Sequence, residues 1–348
     1  MISRLAVIGS GVMGSEIAQV AAAAGCTVVL LDSDPSALER AREHIRGIGE
    51  RRVAKNRLTA AEADEILGRI VLTGDDRELG ECELAIEAVP EILEIKRAVF
   101  EKLDAKLPPG ALLASNTSGL SITELARHTS RPEHVLGLHF FNPASVMRLV
   151  EVVQGESTGD EAVTAGEEFA SAIGKTPVRV RECPGFLVNR ILVRAMASAY
   201  DATGDDRAAR AGADRAVAES GPAPMGPFAL GDLIGLDTLE HLRTDLVGAY
   251  GSRFEDGGHT ASLTDAGRLG RKSGGGFFDD RAPEVEINRS AEAVALTYYE
   301  AAADEASRCL AENIASRADI DLAMQLGCGW EFGPLEWSEK HPDPVERR

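Results

Sequence analysis

The chain has 348 residues, enough for roughly two or three domains, and 44% of them are apolar. Asp and Glu outnumber Lys and Arg by 56 to 37, a net charge of −19, which argues against general affinity for nucleic acid or anionic membranes. No apolar run reaches about 18 residues, and the first predicted strand begins almost at Met1. We therefore expect neither a membrane span nor a signal peptide.

Five cysteines are spread along the chain, at Cys26, Cys82, Cys183, Cys309 and Cys328. No two of them have the close spacing of a zinc site or a redox-active pair. We therefore predict no metal site, and reduced thiols in a cytoplasmic protein.

Residues 5–32 carry the most informative pattern. An apolar run at 5–8 leads into GSGVMG at 9–14, and a helical pattern rich in small residues follows. A second apolar run, at 28–31, stops at Asp32. This order predicts a strand, a tight turn, a helix and a second strand.

Each glycine of that turn has a distinct predicted role in binding a dinucleotide. Gly9 would permit the sharp turn, Gly11 would let a pyrophosphate approach the backbone, and Gly14 would let helix and strand pack closely. The helix N-terminus would favour the phosphate charge, and Asp32 would hold the ribose hydroxyls while repelling a 2′-phosphate. The pattern predicts NAD rather than NADP; a glycine-rich turn in another kind of α/β unit is the alternative.

Strand and helix patterns continue to alternate up to about residue 183. Further strands are predicted at 70–73, 84–89, 111–115, 135–141, 149–153 and 177–180, with helices at 91–107, 121–128 and 159–173. Such alternation is typical of a mostly parallel, doubly wound sheet of the Rossmann type. We therefore predict an α/β fold with this sheet in an N-terminal domain at 1–183, interrupted by a helical-hairpin insertion at about 35–68.

A basic segment lies within that insertion. Residues 40–57 contain seven Lys and Arg side chains against only Glu43 and Glu50. A charge run is usually a solvated helix face. A basic segment in an acidic chain also suits a phosphate-bearing partner, and the composition leaves both interpretations open.

Beyond residue 183 the pattern becomes helical, which predicts an all-α C-terminal region. Ala213-Asp214 followed by Met225-Gly226-Pro227-Phe228 is similar to Ala318-Asp319 followed by Phe332-Gly333-Pro334-Leu335. The repetition predicts a duplicated helical unit: a substrate or dimerisation domain at 184–280 and a partial second copy at 289–341. Coincidence in alanine-rich sequence is the alternative.

Polar side chains at the predicted strand ends are candidates for chemistry, because ligands bind at the carboxyl ends of the strands in such sheets. These side chains are Glu87, Glu91, Asn116, Ser118, His139 and Asn142. A histidine, with an unperturbed pKa of about 6.5, suits the removal of a proton from a hydroxyl group, which singles out His139. Glu151, on the next predicted strand, is placed to fix its tautomer. A purely structural histidine is the alternative.

Taken together, these motifs resemble the L-3-hydroxyacyl-CoA dehydrogenase family. The resemblance runs from residue 2 to about 280 and is most specific in HFFNP combined with PGFLVNR at this separation. The matching motifs are GSGVMG (9–14), EAVPE (87–91), SNTS (115–118), GLHFFNP (137–143), LVEVV (149–153), PGFLVNR (184–190), MGPF (225–228) and GRKSGGGFF (270–278).

The resemblance implies roles for individual residues. His139 would be the general base or acid and Glu151 its partner, while Ser118 and Asn189 would hold the substrate around its reacting carbon. Contacts to NAD would come from Gly9, Gly11, Val12, Met13, Gly14, Asp32, Ala88, Glu91, Lys96, Asn116, Ser118 and Asn142.

It also implies a reaction and partners. The enzyme would oxidise an (S)-3-hydroxyacyl thioester reversibly to the 3-oxoacyl thioester, a step of fatty-acid β-oxidation, with short chains such as 3-hydroxybutyryl included. The helical hairpin of this family grips CoA, so Arg51, Arg52 and Lys55 would bind the substrate. The protein would be a homodimer, or a monomer in which the added helical copy forms an internal pseudo-dimer.

Two further hypotheses stay open at this point. The chain could act on another hydroxy acid, such as a glyceryl group bound to a carrier protein or a sugar acid, and a basic helix would suit an acidic carrier protein as well as CoA. A non-catalytic NAD-binding protein is the third hypothesis. The intact set His139, Glu151, Ser118 and Asn189 argues against it.

Overall fold

The computed structural model describes residues 2–279 and 282–342. The chain divides into two compact units, one ending at Glu182 and the other beginning at Cys183. Among the described residues, no helix combines the length and the apolar character needed to cross a membrane.

The described part of the first unit forms one eight-stranded sheet in the order β3-β2-β1-β4-β5-β6-β7-β8. All neighbouring strands are parallel except β6 and β7. Near-continuous apolar runs form the central strands because helices cover both faces of such a sheet. The strands are β1 (Arg4–Ile8), β2 (Thr27–Leu31), β3 (Ile70–Thr73), β4 (Leu84–Glu87), β5 (Leu112–Ser115), β6 (Val135–Phe140), β7 (Leu149–Gln154) and β8 (Thr176–Arg181).

The helices of this unit follow the strands in alternation, which confirms the predicted doubly wound α/β fold. They are α1 (Val12–Ala23), α2 (Pro35–Ala54), α3 (Ala60–Gly68), α4 (Leu93–Lys106), α5 (Ile122–Ala126) and α6 (Asp160–Ala172). Helices α2 and α3 occupy the segment predicted as an insertion. Asp34 caps the first of them, and Thr59 with Glu62 forms a reciprocal capping box at the second.

The second unit is helical, as the sequence pattern predicts. Its helices are α7 (Val188–Thr203), α8 (Arg207–Ser220), α9 (Pro227–Ile234), α10 (Leu236–Tyr250), α11 (His259–Asp265), α12 (Arg289–Ala311), α13 (Arg317–Cys328) and α14 (Pro334–Lys340). Helix α12 packs along both α7 and α8. Residues 289–311 are therefore part of the same packed unit as α7 and α8.

Two aspartates make the same connection at two places in this unit. Asp214, on α8, accepts hydrogen bonds from the amides of Phe228 and Ala229 in the first turn of α9. Asp321, on α13, accepts one from the amide of Leu335 in the first turn of α14. In both cases the carboxylate lies 14 positions before the first amide it caps.

This geometry corrects one detail of the predicted repeat. The sequence comparison paired Asp214 with Asp319. The carboxylate of Asp319, however, accepts a hydrogen bond from the Ser316 hydroxyl, and the Asp319 amide donates to that hydroxyl oxygen at the start of its own helix. The structural equivalent of Asp214 is Asp321. The predicted match Ala213-Asp214 to Ala318-Asp319 is therefore shifted by two residues from the match between the two capping carboxylates.

Candidate active site

The glycine-rich turn joins β1 to α1 and has room for phosphates. Gly9 has a φ of +97°, which favours glycine, and a Cβ there would also crowd the carbonyl of Ala88. A Cβ on Gly14 would overlap the carbonyl oxygen of Gly9. A Cβ on Gly11 would meet nothing within 4 Å, so space remains beside the backbone there. The turn therefore fits the pyrophosphate of a dinucleotide at the N-terminus of α1.

Asp32 lies at the carboxyl end of β2 and is tied to this turn. Its Oδ2 accepts hydrogen bonds from the backbone nitrogen of Ser10 at 2.8 Å and from the Ser10 hydroxyl at 2.7 Å, and its Oδ1 accepts one from the amide of Asp34. Partial burial alone would raise the pKa of Asp32, but these hydrogen bonds outweigh it and lower the pKa. The site thus presents an ionised carboxylate where a ribose is expected.

A buried charge cluster occupies the ends of β4 and β5. Lys96 is 1% exposed, and its Nζ lies 2.7 Å from Oε1 of Glu87, which is fully buried, and 3.1 Å from Oε2 of Glu91. Burial alone would raise the pKa of Glu91. The charge of Lys96, together with hydrogen bonds from the Thr117 hydroxyl and the Ser118 amide, lowers that pKa instead. The cluster therefore fixes Glu91 as a carboxylate.

The loop after β5 is held by this cluster and by β6. The backbone nitrogen of Ser118 donates to Oε1 of Glu91 at 3.0 Å, and the Thr117 hydroxyl donates to the same oxygen. Asn116 accepts a hydrogen bond from the amide of Phe140 at 2.9 Å through its Oδ1. The predicted cofactor residues Glu91, Asn116 and Ser118 therefore lie together.

His139 and Glu151 face each other on the antiparallel pair β6 and β7. Nδ1 of His139 lies 2.6 Å from Oε2 of Glu151, and both residues are buried. The ring of Phe141 lies against the imidazole, with 4.6 Å between ring centroids. Because a carboxylate accepts a hydrogen bond, the pairing favours the tautomer with its proton on Nδ1, in which Nε2 carries the lone pair. The structure brings the predicted pair together.

The remaining predicted site residues lie elsewhere. Asn142 lies in the irregular segment between β6 and β7, and Asn189 lies in the first turn of α7 in the second unit. Arg51, Arg52 and Lys55 lie at the end of α2, and among the described residues none of the three forms an ion pair.

Sequence reasoning assigned no specific function to several residues that shape this site, although Glu87 was among the strand-end candidates. Ser10 anchors Asp32, Glu87 neutralises Lys96, and Thr117 orients Glu91. Ser10 lies inside the glycine-rich turn, and Glu87 lies at a strand end, so their positions carried a signal. The partners in these three pairs are 9 to 26 positions apart in the sequence, and the spacing of residues alone did not reveal that they meet.

The fold and these strand-end residues define a dinucleotide-binding protein with a helical second unit. Residues 4–183 match the family model described as 3-hydroxyacyl-CoA dehydrogenase, NAD binding domain. Residues 185–280 and 297–341 match the model for the C-terminal domain of the same family. The chain belongs to the 3-hydroxyacyl-CoA dehydrogenase family, and its first unit is the NAD-binding domain of that family.

Individual relatives agree with this assignment. The 3-hydroxyadipyl-CoA dehydrogenase of Escherichia coli K12 is 41% identical over 288 residues, which cover 82% of this chain and 61% of that protein. The 3-hydroxybutyryl-CoA dehydrogenase of Clostridioides difficile is 39% identical over 277 residues, covering 79% of this chain and 99% of that protein. This chain thus spans about three fifths of the first relative and nearly all of the second.

A solved structure covers both units. The crystal structure of 3-hydroxybutyryl-CoA dehydrogenase from Escherichia coli K12 substr. MG1655 superposes with a TM-score of 0.90 and 32% sequence identity. The similarity covers 98% of this chain and 92% of that one, so it extends over most of residues 289–341.

Proposed function

We propose that this chain is an NAD-dependent dehydrogenase that interconverts (S)-3-hydroxyacyl and 3-oxoacyl thioesters of CoA. The observation that carries the proposal is the buried pair of His139 and Glu151, with 2.6 Å between Nδ1 and Oε2, in a member of this family. A histidine oriented by a carboxylate suits general acid–base chemistry on a hydroxyl group near neutral pH.

The proton chemistry follows from that pairing. In the oxidative direction, Nε2 of His139 takes the proton of the substrate hydroxyl, and the Glu151 carboxylate steadies the imidazolium that results. In the reductive direction, the same nitrogen returns the proton to the forming alkoxide. Ser118 and Asn189, which we assign to substrate binding, hold the oxygens of the substrate and select the face that reacts.

The cofactor assigned to the first unit is NAD, which when bound supplies the acceptor or donor of hydride. The turn at 9–14 fits its pyrophosphate, and the Asp32 carboxylate suits the two hydroxyls of its adenosine ribose. We assign further contacts to Ala88, Glu91 with Lys96, Asn116 and Asn142.

Two features support CoA as the carrier. Both relatives described above are named for acyl-CoA substrates. Arg51, Arg52 and Lys55 extend from the end of α2 without ion-pair partners among the described residues, as phosphate-binding side chains would. The acyl group differs between those two relatives: one is named for 3-hydroxyadipyl-CoA and the other for 3-hydroxybutyryl-CoA. The test therefore includes the 3-oxoacyl forms of both.

We also propose that residues 289–341 are a partial second copy of the helical domain at 184–280. The paired caps of Asp214 and Asp321 support this duplication. In this proposal the second copy covers a face that a partner subunit would otherwise cover, which makes the protein a monomer with an internal pseudo-dimer. A homodimer is the alternative, and sedimentation of the purified chain decides between them. A cytoplasmic location is also part of this proposal, and the wide spacing of the five cysteines in the sequence supports it.

The decisive experiment follows NADH absorbance with acetoacetyl-CoA as substrate. We expect oxidation of NADH by the wild-type protein and loss of at least about 100-fold in kcat for His139→Ala, with NADH binding retained. His128→Ala is the matched control, because that histidine lies on the surface near Glu101 and Glu124, away from the strand ends.

Two results would overturn the proposal. One is wild-type protein that binds NADH but reduces none of a panel containing acetoacetyl-CoA, 3-oxoadipyl-CoA and the corresponding carrier-protein thioesters. The other is a His139→Ala variant with an undiminished rate. Turnover of carrier-protein thioesters alone would keep the reaction and replace CoA as the carrier.

A further inference from the structure

One buried carboxylate near the NAD site has no place in the mechanism above. Glu16 lies on α1, two positions after Gly14, and is only 5% exposed. Burying a carboxylate is costly unless hydrogen bonds or opposite charges compensate for lost hydration. Its partners therefore indicate what it holds.

The main partner of Glu16 is distant in the sequence. Its Oε2 accepts hydrogen bonds from the backbone nitrogen of Ser145 at 2.9 Å and from the Ser145 hydroxyl at 3.1 Å. Ser145 belongs to the irregular segment 142–148, which begins with Asn142. These bonds hold that segment beside the N-terminal half of α1, the helix whose first turn fits the cofactor phosphates.

A second charged side chain holds the same segment. Nζ of Lys175 donates hydrogen bonds to the carbonyl oxygen of Met147 at 2.7 Å and to that of Ala144. Burial lowers the pKa of Lys175, and the nearby charge of Glu16 opposes that shift. Segment 142–148 is thus held by an anionic acceptor on α1 and a cationic donor ahead of β8.

The other carboxylate oxygen faces the basic helix. Oε1 of Glu16 lies 3.4 Å from Nε2 of His44 on α2, the helix that ends in Arg51 and Arg52. The side chain of Glu16 therefore links α1 to the segment that contains Asn142 and to α2.

We propose that Glu16 is a positioning residue of the NAD site, fixing segment 142–148, and through it Asn142, against α1. The proposal rests on the function proposed above, in which Asn142 contacts NAD. Glu16 acts through the backbone of the segment rather than by touching NAD. Without it, the segment keeps the Lys175 contacts but loses its attachment to the cofactor helix.

The test measures NADH affinity by fluorescence titration without any acyl substrate. We expect Glu16→Ala to weaken NADH binding roughly tenfold, equivalent to about 1.4 kcal/mol. Glu16→Gln should restore most of the affinity, to within about threefold of wild type, because its amide oxygen still accepts from the Ser145 amide. Glu43→Ala is the matched control: that glutamate is exposed on α2 beside His44, and we expect a change below about twofold.

Steady-state kinetics separate positioning from general damage to the fold. We expect Glu16→Ala to raise KM for NADH while KM for the acyl thioester stays unchanged. Wild-type NADH affinity in Glu16→Ala, equal weakening in Glu43→Ala, or equal rises in both KM values would each overturn the proposal.

A second variant decides the matter if Glu16→Ala does not fold. Ser145→Ala removes only the hydroxyl bond to Glu16 and should weaken NADH binding roughly threefold; unchanged affinity would refute the role. Wild-type protein that binds NADH but reduces no thioester would contradict the proposed activity and leave this binding test valid.

Discussion

The sharpest stability prediction concerns Glu305 on α12. Its side chain and that of Arg190 are both fully buried, and Oε1 of Glu305 lies 2.7 Å from Nε of Arg190. Arg253 also donates to Glu305, with 2.8 Å between Nε and Oε2. The substitution Glu305→Gln keeps the shape of the side chain and removes the negative charge between two guanidinium groups.

The expected loss in the free energy of unfolding is large because the guanidinium group of Arg190 stays buried after the substitution. Removing one member of a buried ion pair typically costs about 3–5 kcal/mol. Here Glu312 still pairs with Arg190 at 2.7 Å, and the guanidinium of Arg190 also lies 4.2 Å from the ring centre of Tyr250. Because these contacts remain, we expect the free energy of unfolding to fall by about 3 kcal/mol, the lower end of that range. In a unit of this size that corresponds to roughly 6–12 °C in Tm.

The neighbouring residue provides a matched control. Asp304 precedes Glu305 on the same helix and pairs with Arg308, and both side chains are about half exposed. An exposed pair of this kind contributes about 0.5 kcal/mol or less, so Asp304→Asn should be close to neutral. The difference between the two variants isolates the buried charge.

The assay is urea denaturation followed by tryptophan fluorescence. Both tryptophans of the chain, Trp330 and Trp337, are buried in the second unit, so the signal reports on that unit. A Glu305→Gln variant that loses no more stability than Asp304→Asn would refute the reasoning. It would mean that α12 does not depend on this ion pair to pack against α7.

Three further predictions concern other sites. Glu151→Gln should lower kcat at least about 100-fold with NADH affinity retained, because a glutamine amide can present its nitrogen to His139; an unchanged kcat would contradict the pairing. Asp32→Ser should lower the ratio of kcat/KM for NADH over NADPH at least about tenfold, and an unaltered ratio would remove Asp32 from the ribose site. Burial raises the pKa of Asp214 from 3.8 to about 7, so between these values the folded state keeps a proton that the unfolded chain has lost. The free energy of unfolding should therefore fall by about 2 kcal/mol from pH 5 to pH 7 relative to Asp214→Asn, and parallel pH profiles would contradict this.

The features that the sequence predicted well are those determined by residues close together in the chain. The turn at 9–14 and Asp32 lie within one strand–helix–strand unit, where glycine conformation and apolar runs determine the structure. The pairing of His139 with Glu151 was also accessible, because the two residues lie on consecutive strands with a short connection.

Contacts between distant segments could not be predicted in this way. Ser145 lies 129 positions from Glu16, and Glu305 lies 115 positions from Arg190. Their meeting depends on how whole helices pack, and no periodicity in a single segment records it. The predicted repeat matched Asp214 to Asp319, whereas the residue that caps a helix in the same way is Asp321, and a dipeptide match does not record such a cap.

The antiparallel register of β6 and β7 has a consequence for how the structure around His139 can vary. His139 and Glu151 are directly paired across the two strands. The pair Leu138 and Val152 flanks them on one side, and the pair Phe140 and Val150 flanks them on the other. The spacing of the pair is therefore set by the backbone ladder on either side and not by the loop that joins the strands. A change in that loop that preserves its contacts with Glu16 and Lys175 would therefore leave the distance between His139 and Glu151 unchanged.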